Sequence, residues 1–183
     1  MPEKPRILDS RIVAQSRIFR VEALDLEFAN GVRTQYERLA GGSGGAVLIV
    51  PLFDAETVLL IREYAAGSER YELGLPKGRI EAGEEILEAA NREIMEEIGH
   101  GSRNLSLLTA LSVAPGYMSH RTHIVLARDL YPQRLPGDEP EEIEVVPWPL
   151  EDIESLIERD DFSEARSLAA LYLTRDRLRN GKL

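Results

Sequence analysis

The segment from Glu84 to Ile98 restricts what this chain can fold into more than any other. On a helix turning about 100° per residue, Leu87, Ala90, Ile94 and Ile98 share one apolar stripe. Such a stripe has to be buried against another layer of structure. Glu93, Glu96 and Glu97 gather on an adjoining face, and Gly99 stands where a C-terminal cap is expected. As a helix alone the pattern is poor. Glu93 and Glu97 are like charges four apart, which costs about 0.2–0.5 kcal/mol. Glu96 and Glu97 lie in the last turn, at the negative end of the macrodipole, where cations are favoured by about 0.3–1 kcal/mol. A solvated face bears penalties of this size, so they do not define a site by themselves. They do run against helix optimisation, as expected where function overrides local stability. A hard divalent cation reverses the sign of the cost, because Mg²⁺ takes carboxylate oxygens and keeps several waters.

The flanking sequence supplies the layers. Ile18, Arg20 and Glu22 alternate with Phe19, Val21 and Ala23, and the pattern runs on through Leu24, Leu26 and Phe28. Asn30-Gly31 follows, and Val32 to Leu39 returns, which predicts a β-hairpin. Gly41-Gly42-Ser43-Gly44-Gly45 is a loop; it lacks the lysine and spacing of a P-loop. Strands are expected at Ala46 to Phe53 and Thr57 to Arg62, joined by the turn Asp54-Ala55-Glu56. Further strands are expected at Leu105 to Val113, Thr122 to Ala127 and Ile143 to Trp148. Helices are expected at Leu150 to Arg159 and Ser163 to Arg179, the second with Leu168, Leu171, Tyr172 and Leu178 on its apolar side. Strand runs with interposed helices predict a mixed α/β sandwich, and the 183 residues suit one domain with a real core.

Composition narrows the function classes. An apolar fraction of 43% fits a globular fold. The longest apolar run, Ala46 to Phe53, falls far short of a membrane span. Met1 to Ser10 carries charges and two prolines and no apolar signal core, and there is no cysteine, so a cytoplasmic protein without disulfides or thiolate chemistry is expected. The formal charge of −10 disfavours nucleic acid as a partner. It also means that any phosphate-bearing substrate needs local positive charge, from metal or placed arginines.

The spaced set Gly78, Glu84 and Arg92-Glu93-Ile94-Met95-Glu96-Glu97-Ile98-Gly99 resembles the Nudix box, over residues 78–100. His100 departs from it, since the family pattern has an apolar residue after the last glycine. The resemblance implies a Nudix fold: an α/β/α sandwich with a mixed sheet, here with an N-terminal strand extension (residues 1–40) and C-terminal helices. It implies that Glu93 and Glu97 ligate Mg²⁺ or Mn²⁺, with Glu96 also at the metal cluster. Arg92 would orient the glutamates, Glu84 would hold the loop or reach a further metal, and Gly78 would let the loop turn with the Lys77 carbonyl near the metal.

Ala114-Pro115-Gly116-Tyr117 lies downstream of the box. In this family a proline at that distance is associated with ADP-ribose hydrolases, and a tyrosine slightly further on with dinucleoside polyphosphate hydrolases. Asp25-Leu26-Glu27-Phe28, Asn30-Gly31-Val32-Arg33, Ile61-Arg62-Glu63-Tyr64-Ala65 and Asp129-Leu130-Tyr131-Pro132 are similar to the bacterial ADP-compounds hydrolases of the family. The implied substrates are ADP-ribose, NADH and diadenosine polyphosphates. The rival expectations are a Nudix hydrolase of another nucleoside diphosphate derivative, and a nucleotide sensor that does not cut. Retention of Glu93, Glu96 and Glu97 weighs against the sensor.

The general base is expected in the acidic run Gly137 to Glu142: Glu139 is the first choice, and Glu141 a further metal ligand. A solvated acidic loop explains the same residues equally well. Arg33 and Arg38 are candidate substrate contacts or exposed strand charges, and related hydrolases exchange N-terminal segments, so a homodimer is expected. Tyr117 stacks on a base or fills its loop. Glu72 is a substrate contact or a strand-edge charge, and Arg62 has the same two readings. His120 and His123 do not form a metal pattern, and Trp148 and Tyr172 are expected in the core.

Overall fold

The structure is a computed structural model and describes residues 2–41 and 44–183. Within the expected glycine-rich loop, Gly42 and Ser43 lie outside the described residues. In chain order the elements are β1 (Arg6–Gln15), β2 (Arg20–Glu27), β3 (Arg33–Leu39), β4 (Ala46–Pro51), β5 (Thr57–Ala65), β6 (Arg70–Gly74), β7 (Lys77–Arg79), α1 (Ile86–Glu97), β8 (His100–Ser112), β9 (Arg121–Pro132), β10 (Glu144–Pro149), α2 (Ile153–Ile157) and α3 (Ala165–Arg179). The chain divides into two compact units, residues 1–45 with 112–121, and residues 46–111 with 122–183.

The first unit is the antiparallel sheet β1-β2-β3. The hairpin expected at Asn30-Gly31 is β2–β3: Glu27 pairs with Arg33, the Phe28 N–H donates to the Val32 carbonyl at 2.9 Å, and Gly31 takes φ +81°. Strand β1 was not foreseen from the sequence. Its register against β2 shifts between Ile7 and Asp9 and again between Ile12 and Ala14. Each irregularity breaks the alternation of side chains, so Ile7-Leu8 and Ile12-Val13 lie as adjacent apolar pairs. Segment 112–121 joins this unit through Leu39, whose N–H donates to the Tyr117 carbonyl at 2.7 Å.

The second unit holds two sheets, β10-β5-β6 and β7-β4-β9-β8. In the latter, β4 and β9 run parallel and β4 and β7 antiparallel, giving the mixed sheet expected. Residues 46–50 of β4 are buried on both faces, and alternate side chains enter different cores. Leu48 and Val50, with Leu60, Ile124 and Leu126, meet Ile153 and Leu156 of α2 and Ala170 and Leu171 of α3. Val47 and Ile49, with Leu59, Ile61 and Val125, meet Ala90 and Ile94 of α1. Helices on both faces make the α/β/α sandwich. No described helix is long and apolar enough to cross a membrane.

Several boundaries differ from the sequence expectation. The box helix begins at Ile86 rather than Glu84, because Glu84 is held by Arg92 and by the Glu81 N–H, while the Glu85 N–H donates to Glu88. α2 covers only Ile153–Ile157, and α3 starts at Ala165 because Glu164 accepts from the Arg166 and Ser167 N–H groups and caps it. The short strands β6 and β7 were not foreseen, and β8 and β9 each run several residues longer than expected.

Candidate active site

Helix α1 does not present its glutamates beside the buried face; it presents two of them within it. Glu93 and Glu97 are only 8% and 3% exposed, whereas Leu87, expected in the buried stripe, is 38% exposed. The apolar contacts come from Ala89, Ala90, Ile94 and Ile98, with Ile86 partly buried against them. Glu96 is half-buried.

Strand β7 makes room for these carboxylates. Gly78 pairs with Val47, and a Cβ at Gly78 would overlap the Glu93 carboxyl group. The neighbouring Lys77 N–H donates to Glu97 Oε2 at 2.9 Å. Arg92 then organises the outer side. Its guanidinium grips Glu84 through both carboxylate oxygens at 2.9 and 3.1 Å. It also donates to Glu93 Oε1 at 2.8 Å, Glu96 Oε2 at 2.9 Å and the Arg79 carbonyl at 3.0 Å. One planar fork thus joins three glutamates and the strand before the helix.

The electrostatics follow from this packing. Burial pushes the Glu97 carboxyl up to about 8, against the opposing pull of Lys77. Burial also raises Glu93, with Arg92 opposing and the charges of Glu96 and Glu139 adding to the rise. The Arg92 hydrogen bond holds Glu84 below the usual carboxylate range, and Glu84 in turn raises Arg92. Partly buried carboxyls left protonated or strained by mutual repulsion are suited to exchanging protons for a cation.

The donor set fits a hard divalent ion. Each of the three glutamates has one oxygen engaged by the chain: Glu93 Oε1 and Glu96 Oε2 by Arg92, and Glu97 Oε2 by the Lys77 amide. The other oxygen of each accepts no hydrogen bond from the described residues, which leaves an all-oxygen set of the kind Mg²⁺ prefers. Among the described residues, no three acidic or histidine side chains are already converged to coordination distance.

The remaining candidates fall in separate places. Glu139 folds back against Gly137, where a Cβ would meet its carboxylate and would lie 3.8 Å from the Glu96 Cβ, so this turn covers the C-terminal half of α1. Glu141 instead accepts from the Tyr71 hydroxyl at 2.7 Å. In the first unit, Arg33 pairs with Glu27 at 2.7 Å, Arg38 with Glu22 at 2.6 Å, and Tyr117 is 59% exposed. Arg62 is paired with Glu144 and Asp161, and Glu72 with Arg70 and Ser163. Trp148 and Tyr172 pack on the core. Sequence reasoning missed Arg134. It reaches back from the segment after β9 toward the Glu96 carbonyl at 3.5 Å and sits beside Gly99, supplying the cation that the end of α1 lacked. Nothing local could have revealed it, because the contact spans the whole β8–β9 hairpin.

This fold and this carboxylate-bearing helix define a Nudix enzyme. The chain belongs to the Nudix hydrolase family: residues 42–171 match the NUDIX domain, and residues 5–38 match the NudE-type Nudix hydrolase N-terminal domain. It is 52% identical to the ADP compounds hydrolase NudE of Escherichia coli (strain K12), over 97% of this chain and 95% of that protein. It is 29% identical to the ADP-ribose pyrophosphatase of Bacillus subtilis (strain 168), over 90% and 91% of the two chains. A crystal structure of an ADP compounds hydrolase matches with a TM-score of 0.91 at 50% identity, covering 100% of this chain and 99% of the other.

Proposed function

We propose that this enzyme hydrolyses the pyrophosphate bond of ADP-linked nucleotides (ADP-ribose, NADH and diadenosine polyphosphates) and releases AMP. The observation that carries this reading is the pair Glu93 and Glu97, buried on α1 against Gly78 and the Lys77 amide, each with an oxygen to spare. The names of the relatives, ADP compounds hydrolase and ADP-ribose pyrophosphatase, support the substrate class.

Glu93, Glu97 and Glu96 would hold Mg²⁺ or Mn²⁺, with Glu141 as a further ligand, and the ion would supply neutralisation of the diphosphate and polarisation of one phosphorus. Arg92 keeps Glu93 and Glu96 in place by charge-assisted hydrogen bonds. Glu139 takes a proton from the attacking water as its oxygen bonds to phosphorus. The bridging P–O bond breaks, and its electron pair leaves on the departing phosphate. ADP-ribose then yields AMP and ribose 5-phosphate, and NADH yields AMP and reduced nicotinamide mononucleotide. Arg33 and Arg38 contact the substrate's phosphates or ribose, and Tyr117 stacks on its base.

Residues 1–183 act as one catalytic chain in the cytoplasm, with residues 1–40 forming a homodimer. The exposed Ile7, Leu8, Ile12 and Val13 of β1 support that role, because such a strand is otherwise an aggregation hazard. Light scattering that gave a monomer at working concentration would remove the dimer. The function itself is tested by incubating the protein with Mg²⁺ and ADP-ribose, NADH, diadenosine triphosphate or a nucleoside triphosphate. AMP from the ADP compounds, lost in Glu97→Gln, supports it; no AMP from any of them, with the fold intact, overturns it.

A further inference from the structure

A cavity of about 410 Å³ opens between β5, β6, Lys77 of β7 and the start of α3. Three of the four charged residues that line it are acidic: Glu63, Glu72 and Glu164. Lys77 is the only basic residue among those that line it. Two of the carboxylates are already paired elsewhere, Glu72 with Arg70 at 2.8 Å and Glu164 with Arg166 at 2.6 Å. Glu63 has Lys77 itself as its ion-pair partner, Nζ to Oε2 at 2.7 Å, with both side chains about a third exposed, at 32% and 40%. Lys77 also touches the carboxylate site by its backbone, whose N–H donates a hydrogen bond to Glu97 Oε2 at 2.9 Å. One residue therefore ties the buried glutamate to the cavity wall.

We propose that Lys77 binds the diphosphate of the substrate, and that Glu63 is its resting partner, which gives the ammonium up when the phosphate arrives. The inference rests on the pyrophosphohydrolase reading above. A chain of net charge −10 must place positive charge where phosphate binds. The lysine that lines the cavity is held by its backbone to Glu97, one of the glutamates assigned to the metal, so a phosphate bound by that metal would come within reach of its flexible side chain. Lysine suits the role as a compact point charge on a flexible stem. An ion pair with both partners this exposed is weak, so little is lost when the ammonium leaves Glu63 for a diphosphate that carries two negative charges in all. Without substrate, Glu63 holds the stem pointed into the cavity.

The test is kinetic and uses the full chain with Mg²⁺ and ADP-ribose. Lys77→Met, which keeps length and loses charge, should raise KM by roughly 10–100-fold, the worth of one hydrogen bond to a charged group. Lys77→Arg should restore most of that loss. Glu63→Gln should lower KM, because the lysine no longer has a competing carboxylate. A merely structural ion pair predicts the opposite pattern, since Lys77→Met and Glu63→Gln would remove the same contact and shift KM the same way. Binding of magnesium pyrophosphate by calorimetry repeats the comparison without turnover. If the wild type binds pyrophosphate but cleaves no ADP compound, the substrate reading fails and Lys77 is still judged. Equal pyrophosphate affinity in wild type and Lys77→Met, with the melting temperature retained, overturns the proposal, as does a parallel rise of KM in Lys77→Met and Glu63→Gln.

Discussion

The Glu93 carboxylate occupies the space that any side chain at position 78 would need. Gly78 is therefore fixed by its neighbour across the strand–helix contact. Gly78→Ala has to displace either β7 from its pairing with Val47 or Glu93 from Arg92. Overpacking of this kind costs about 1–3 kcal/mol. The variant should melt at a lower temperature and bind Mg²⁺ more weakly, measured by scanning calorimetry and titration. An unchanged melting temperature and Mg²⁺ affinity would show that Glu93 moves aside freely.

Arg92 is the single donor shared by Glu84, Glu93 and Glu96. A lysine has no planar fork and cannot reach all three. Arg92→Lys should therefore leave the fold intact and reduce Mg²⁺ affinity or turnover by about 10–100-fold, the usual effect of losing a group that orients metal ligands. Full activity in Arg92→Lys would reduce the residue to a charge balance.

The clustering of the box residues was easier to read from the sequence than their depth. Helical spacing picked out Glu93, Glu96 and Glu97, because residues three and four apart share a face, and the resemblance to the Nudix box added Gly78 and Arg92. It misjudged which way α1 faces. Periodicity ranks faces by hydrophobicity, so it placed Leu87 inside and the glutamates beside the core, whereas Glu93 and Glu97 are buried and Leu87 is exposed. That inversion is a local rule broken in favour of the site. The hairpin at Asn30-Gly31 was legible because turn chemistry is local, but β1 was hidden by its bulges. The contacts of Arg134 on Glu96 and of Lys77 on Glu97 depend on tertiary packing, and no window along the chain contains both partners.

The buried Glu97 predicts a stability that depends on pH. Its carboxyl is raised from an ordinary 4.5 to about 8 in the folded chain, so between those values the folded state holds a proton that the unfolded state has lost. Stability of the metal-free protein should be fully present below about pH 4.5 as far as this group is concerned, and should fall as pH rises toward 8, by at most about 1.4 kcal/mol per pH unit for one proton. Glu97→Gln should flatten that slope in chelator-treated samples. Mg²⁺ must displace the proton, so its apparent affinity should rise by up to about tenfold per pH unit over the same window. Mg²⁺ affinity that did not vary between pH 5 and 8 would mean the carboxyl is already ionised.

The last prediction separates the base from the ligands. Glu139 and Glu141 are two residues apart, but the structure sends them to different neighbours: Glu139 to the turn over Glu96, Glu141 to the Tyr71 hydroxyl. A base and a ligand fail differently when their charge is removed. Glu139→Gln keeps the shape of the turn and loses the proton acceptor, so turnover should fall by roughly 10²–10⁴-fold while KM and Mg²⁺ affinity stay close to wild type. Glu141→Gln keeps a hydrogen-bond acceptor for Tyr71, so any loss there should appear in Mg²⁺ affinity and recover at high Mg²⁺. A near-normal rate in Glu139→Gln would remove it as the base. A loss in Glu139→Gln that high Mg²⁺ repaired would make it a ligand, and the base would then have to be sought among the box glutamates themselves.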